Sequence, residues 1–139
     1  MTQQWPIERP DIINLLTDYG IQPTQQRVDI AKILFERPQH LSAEQILDAV
    51  NSRQPSVSKA TVYNTLGLLA KKGLVRQVIV DPSRVFYDSN ISDHHHIYNI
   101  DNGTLTDINT DELTVSGMPS LPAGMVTEGI DVIIRVRSE

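Results

Sequence analysis

The stretch Ser58-Lys-Ala-Thr-Val-Tyr-Asn-Thr-Leu-Gly-Leu-Leu-Ala-Lys-Lys-Gly73, followed by Leu74-Val-Arg-Gln-Val-Ile-Val80, decides the fold. Ser58 is a good helix N-cap, and Val62, Leu66 and Leu69 recur at the spacing of one helical face. Gly73 ends the helix. From Leu74 onward the run is rich in β-branched residues. Asp81-Pro82-Ser83 is a turn and Val85-Phe86-Tyr87 resumes an extended segment, which together predict a hairpin.

Three further helices are expected upstream. Pro10 suits a first helical position, Ile12, Ile13, Leu15, Leu16 and Tyr19 follow at helical spacing, and Gly20 stops the segment. Thr24 caps a second helix with Val28, Ala31, Ile33 and Leu34 on its apolar side, ended by Pro38. Ser42 opens a third, with Gln45 placed for a capping box and Ile46, Leu47 and Val50 as its stripe. Four helices and then a hairpin predict a winged helix-turn-helix, with helix 58–72 in the major groove and hairpin 74–87 as the wing. An ordinary α+β domain whose helices only build a core would have the same pattern. Downstream the chain reads as strand: Ile97–Ile100, a turn at Asp101-Asn102-Gly103, Leu105–Ile108, turn-rich residues 117–124, and a last apolar strand over Ile130–Val136.

Composition narrows the function classes. The 139 residues are 40% hydrophobic and 21% charged, enough for a core without disulfide or metal staples. No cysteine is present, which excludes a disulfide scaffold, a thiolate zinc site, an iron–sulfur cluster and a cysteine nucleophile. No apolar run approaches the roughly 18 residues that span a membrane, and MTQQWPIERP has no secretory character, so a cytoplasmic protein without a membrane partner is expected. The net charge of −5 hides an asymmetry: residues 1–80 carry +2 and residues 81–139 carry −7. From Ala49 to Val80 there is no carboxylate, yet Arg53, Lys59, Lys71, Lys72 and Arg76 are there, which suits a phosphate backbone. The change of sign near Asp81-Pro82 marks a candidate domain boundary.

With Val62, Leu66 and Leu69 turned inward, Lys59, Thr61, Tyr63, Asn64 and Thr65 are left for the other faces of the helix. Asn64 can read adenine, and Tyr63 can pack on a thymine methyl or bond a phosphate. Lys59 and Lys71 can position the backbone. Alternatively Tyr63 is a half-buried aromatic at a helix–helix seam.

Three of the four histidines are consecutive: His94, His95 and His96. On a strand, His94 and His96 share one face, about 7 Å apart along the chain, and His95 takes the other. Asp88 and Asp107 flank them, while His40 lies far off in the loop before the third helix. Imidazoles with carboxylates suit Fe(II), Mn(II), Zn(II) or Ni(II), and because a ligating imidazole is neutral, affinity should fall below about pH 6.5. A solvated polar loop is the bland reading of the same residues.

Gly20-Ile-Gln-Pro-Thr-Gln-Gln-Arg27, His40-Leu-Ser-Ala-Glu44, Ser58-Lys-Ala-Thr-Val-Tyr-Asn-Thr-Leu66, Arg84-Val-Phe-Tyr-Asp88 and Asp93-His-His-His96 together resemble the ferric uptake regulator (Fur) superfamily. The resemblance implies an α+β protein: an N-terminal winged-helix DNA-binding domain, residues 1–87, and a small C-terminal α/β domain, residues 88–139, for dimerisation and metal or haem sensing. It implies a homodimeric repressor of a double-stranded operator, with Arg27 among its DNA contacts. It carries over His40, Asp88, His94, His96 and Asp107 as ligands of a regulatory Fe(II), Mn(II) or Zn(II). Aspartate at both carboxylate positions resembles the peroxide-sensing branch (PerR). Most of the family has Cys-x-x-Cys beside the histidine strand, and here those positions are Asn99 and Asn102, so a four-cysteine structural zinc is impossible. Val85-Phe86-Tyr87-Asp88 with the histidine run, and the Leu121–Gly124 tail, resemble the iron response regulator branch, in which such histidines are associated with haem, here His94, His95 and His96. A non-haem metalloenzyme built on the same ligands is the reading from another class.

Overall fold

The computed structural model describes residues 4–52 and 57–139. They fall into two compact units, Met1–Ile91 and Ser92–Glu139. No helix among the described residues is long and apolar enough to cross a membrane.

The first unit holds four helices and a three-stranded antiparallel sheet: α1 (Arg9–Asp18), α2 (Gln25–Leu34), β1 (His40–Ser42), α3 (Ala43–Val50), α4 (Lys59–Lys71), β2 (Arg76–Asp81) and β3 (Arg84–Asp88). Sheet order is β1-β3-β2. Local chemistry sets the helix ends. The Thr24 and Ser58 hydroxyls accept from the Arg27 and Thr61 amides, and Ser42 and Gln45 form the full capping box. After α4 the chain turns at Gly73, whose φ of 79° is a left-handed conformation that glycine adopts without strain. Leu74 N–H then donates to the Leu69 carbonyl and closes the cap.

Ile12, Leu16, Val28, Leu34, Ile46, Val62, Leu66 and Leu69 are buried to within 1% and form one core with Val57, Leu74, Val75 and Tyr87. Burying each such aliphatic side chain contributes about 1.5–3 kcal/mol. Ile30 is also fully buried, whereas Ile13 and Tyr19 of the expected α1 stripe remain 37% and 44% exposed.

Three expectations change here. His40 is not in a loop: it opens β1, paired across from Asp88 of β3. The charge reversal at Asp81-Pro82 marks the hairpin turn between β2 and β3, where Asp81 Oδ1 accepts from the Ser83 amide and hydroxyl. The compact first unit continues past it, because Ser89 N–H donates to the Gln39 carbonyl and Ser89 Oγ accepts from Gln39 N–H. Asp88 therefore belongs to the first unit. Arg53, counted among the basic residues, lies outside the described residues.

The second unit holds β4 (His95–Asn99), β5 (Leu105–Ile108) and β6 (Ile133–Val136), in the order β5-β4-β6. β5 runs antiparallel and β6 parallel to the central β4. The α+β class holds, but residues 92–139 contain no helix, although the resemblance implied an α/β domain there. The last strand is shorter than its apolar run, spanning four residues. The β4–β5 connection is held by the two asparagines. Asn99 Oδ1 accepts from Asp101 and Asn102 N–H, and Asn102 Oδ1 from the Thr104 amide and hydroxyl. Gly103, at φ 71°, takes the left-handed position of the turn. Tyr98, Leu105 and Ile108 are the buried apolar side chains of this unit.

Candidate functional site

In an antiparallel ladder, directly opposed residues bring their side chains within reach of one another. β4 and β5 pair His96 with Asp107. The alternation of β4 turns His94, just before the strand, and His96 to the same side. Their rings lie 4.5 Å apart, centroid to centroid, and both are buried, at 7% and 2% exposed. The Nε2 atoms of His94 and His96 stand 3.7 and 3.4 Å from Asp107 Oδ1. One ligand atom from each of His94, His96 and Asp107 lies within 4.8 Å of the others.

The His94 ring is oriented by its neighbour: the Ser92 carbonyl can only accept, so Nδ1–H donates to it at 2.6 Å, and Nε2 is the nitrogen turned toward Asp107. Such an outward hydrogen bond orients an imidazole for metal ligation. Asp107 is about half exposed, so the trio is walled by two buried rings and open on the carboxylate side. Two imidazole nitrogens and one carboxylate oxygen, with no thiolate, fit a divalent ion of the Mn(II), Fe(II) or Zn(II) kind.

His95 faces the other way. Its Nδ1 accepts from Val132 N–H at 3.1 Å, which ties the approach to β6 against β4. Replacing His95 with Phe should loosen β6, seen as faster hydrogen exchange at Ile134 and Val136, and leave metal affinity within about threefold. A large loss of metal affinity would mean that His95 is a ligand.

The first unit carries a matching pair, since β1 and β3 oppose His40 and Asp88. Asp88 is 1% exposed and accepts from Asn90 N–H at 2.9 Å. The His40 ring stands edge-on to Phe86 at 6.2 Å.

On α4, Lys59, Tyr63 and Asn64 are exposed along one flank, and Lys71 is exposed at the far end. Thr61 is half-buried with its hydroxyl 2.9 Å from that of Ser58, and Thr65 is buried, not free for another face as expected. Arg27 Nη1 donates to the Gln22 carbonyl at 3.1 Å. Tyr63 is 39% exposed and reaches from α4 to α3. Its hydroxyl donates to Glu44 Oε1 at 2.8 Å, and Lys59 Nζ lies 5.8 Å from its ring centroid. The shared proton holds the Glu44 carboxyl below the usual carboxylate range, helped by the Lys59 and Arg84 charges. It raises the Tyr63 phenol above its ordinary value. Glu44 and Arg84 were not singled out in the sequence as candidates for this surface. Glu44 looked like an ordinary acidic residue in a helix's first turn.

A winged helix with an exposed polar flank on its fourth helix, and a sheet on which two buried histidines meet a half-exposed aspartate, fit a DNA-binding protein of the metal-responsive kind. The ferric uptake regulator family model matches residues 18–123, and the chain belongs to that family. Its members are transcription regulators, not enzymes. The ferric uptake regulation protein 1 of Mycolicibacterium fortuitum is 30% identical over 114 residues, 81% of this chain and 68% of that one. The peroxide-responsive repressor PerR of Staphylococcus epidermidis is 31% identical over 90 residues, 65% of this chain and 60% of that one. The ferric uptake regulator of Pseudomonas aeruginosa, solved with manganese, superposes with a TM-score of 0.67 at 22% identity, covering 91% of this chain and 96% of that one.

Proposed function

We propose that this chain is a homodimeric repressor whose affinity for an operator is set by Fe(II) or Mn(II) held by His94, His96 and Asp107, with Asp88 and His40 as further ligands. The observation that carries the reading is the convergence of two buried Nε2 atoms on one carboxylate oxygen, with the His94 ring already oriented by Ser92. When bound, the ion supplies a divalent charge that offsets the carboxylates. The ion sets the affinity for DNA only to the extent that it binds the DNA-competent form of the dimer more tightly than the other. Lys59, Thr61, Tyr63, Asn64, Lys71 and Arg27 supply the DNA contacts.

Dimerisation draws support from the small second unit. It buries few apolar side chains, while Ile100, Met118, Leu121, Met125, Ile134 and Val136 are 38% or more exposed. A 48-residue unit does not sustain itself on so small a core. A second copy covering exposed apolar side chains such as Ile134 and Val136 of β6 supplies what is missing.

The buried rings favour a bare ion over haem. Neither His94 nor His96 offers a face open to a macrocycle, and His95 is turned to the opposite side and bonded to Val132. Peroxide sensing is the second reading, favoured by the two aspartates among the ligands and by the 31% identity to a peroxide-responsive repressor.

Titration of the metal-stripped chain with Mn(II) tests the five-residue ligand set. His40→Ala and Asp88→Asn should each weaken Mn(II) by about tenfold or more, with unfolding midpoints close to the wild type. Wild-type affinity in both variants would confine the site to the second unit. A loss of DNA affinity after peroxide treatment of the Fe(II) form but not the Mn(II) form would establish the second reading.

A further inference from the structure

Between the N-terminal end of α3, the exposed flank of α4 and the β2–β3 turn lies a hollow of about 340 Å³ lined by Ser42, Glu44, Tyr63, Ser83, Arg84 and Tyr87. It holds one anion, Glu44, on a surface that otherwise suits phosphate. We propose that Glu44 is a positioning residue for DNA reading: by accepting the hydrogen bond of the Tyr63 hydroxyl it sets which part of that phenol meets the duplex. This rests on the regulator reading and deepens it.

A phenol has one proton to donate. Here it goes to Glu44 Oε1 at 2.8 Å, a charge-assisted bond. A phosphate oxygen would have to displace that carboxylate and approach its charge, so Tyr63 is withdrawn from backbone binding. What remains is the ring edge, apolar enough for a thymine methyl, and the oxygen lone pairs, which accept from adenine N6–H or cytosine N4–H. Lys59 Nζ near the ring and the bond at the hydroxyl hold the side chain at two points, so it meets the groove with little freedom left to lose. The bond is exposed and stabilises the fold little. Arg84, within electrostatic reach of Glu44, leaves the wing side of the hollow attractive to a phosphate. The hollow thus separates a base-reading side from a backbone-binding side.

The experiment uses the full chain, with and without Mn(II), on a duplex enriched from a random pool and on a shuffled duplex of the same composition. Glu44→Ala and Tyr63→Phe should each lower the ratio of the two affinities by about tenfold, the double variant no further than either single one, and Glu44→Gln by at most about threefold. Equal tightening on both duplexes by Glu44→Ala, or a Glu44→Gln loss as large as that of Glu44→Ala, would overturn the inference and leave Glu44 as a charge alone. A wild-type chain that enriches no sequence overturns the operator reading as well.

Discussion

His96→Ala is expected to weaken Mn(II) binding by at least about 100-fold. His96 sits on the central strand of its sheet, opposite Asp107, with its Nε2 3.4 Å from the carboxylate oxygen. At 2% exposure no water-borne group stands in for it when the ring is removed. Loss of a group that merely orients a ligand costs tenfold to 100-fold, and loss of the ligand itself exceeds that. The truncation also leaves a gap where the ring was buried, so the variant is compared with His96→Gln, which fills part of the space and keeps a polar end. Calorimetric titration of both, with circular dichroism to confirm the sheet, is the check. Affinity within threefold of wild type in both would remove His96 from the site.

Leu66→Ala is expected to cost 2–5 kcal/mol, the range for deleting a fully buried leucine side chain that leaves a cavity. Leu66 is 0% exposed, on the inner face of α4 beside Val62 and Leu69. For a unit of 91 residues, each kcal/mol moves the unfolding midpoint by about 4–8 °C, so thermal melting should register a fall of at least about 8 °C. The same variant should lose DNA binding at temperatures where the wild type retains it, because α4 supplies both this core and the proposed contacts to DNA. A shift below 3 °C would mean that the core does not depend on this helix.

Much of the fold is legible in the sequence because its signals are local. Thr24, Ser42 and Ser58 announce helix starts within three residues, and Gly73 announces an end. The alternation of His94 and His96 places two imidazoles on one face before any sheet is known. The misread features depend on distant partners. β1 is three residues long and exists because β3, more than forty residues later, pairs with it, so His40 reads as loop. Thr65 lies one position before the buried Leu66 and joins the core through packing that no local rule reports. The charge reversal at Asp81 records composition, whereas the bonds between Ser89 and Gln39 extend the first unit beyond it. Glu44 is invisible as a partner of Tyr63 because nineteen residues separate them.

Metal-controlled DNA binding is tested most directly by the affinity for a duplex enriched from a random pool, followed against free Mn(II), for the wild-type chain and for the His94→Ala/His96→Ala double variant. Mn(II) should change the wild-type affinity by at least about tenfold, and the variant should bind the duplex with a single affinity at every Mn(II) concentration. A double variant that responds to Mn(II) as the wild type does would contradict metal control through these two histidines.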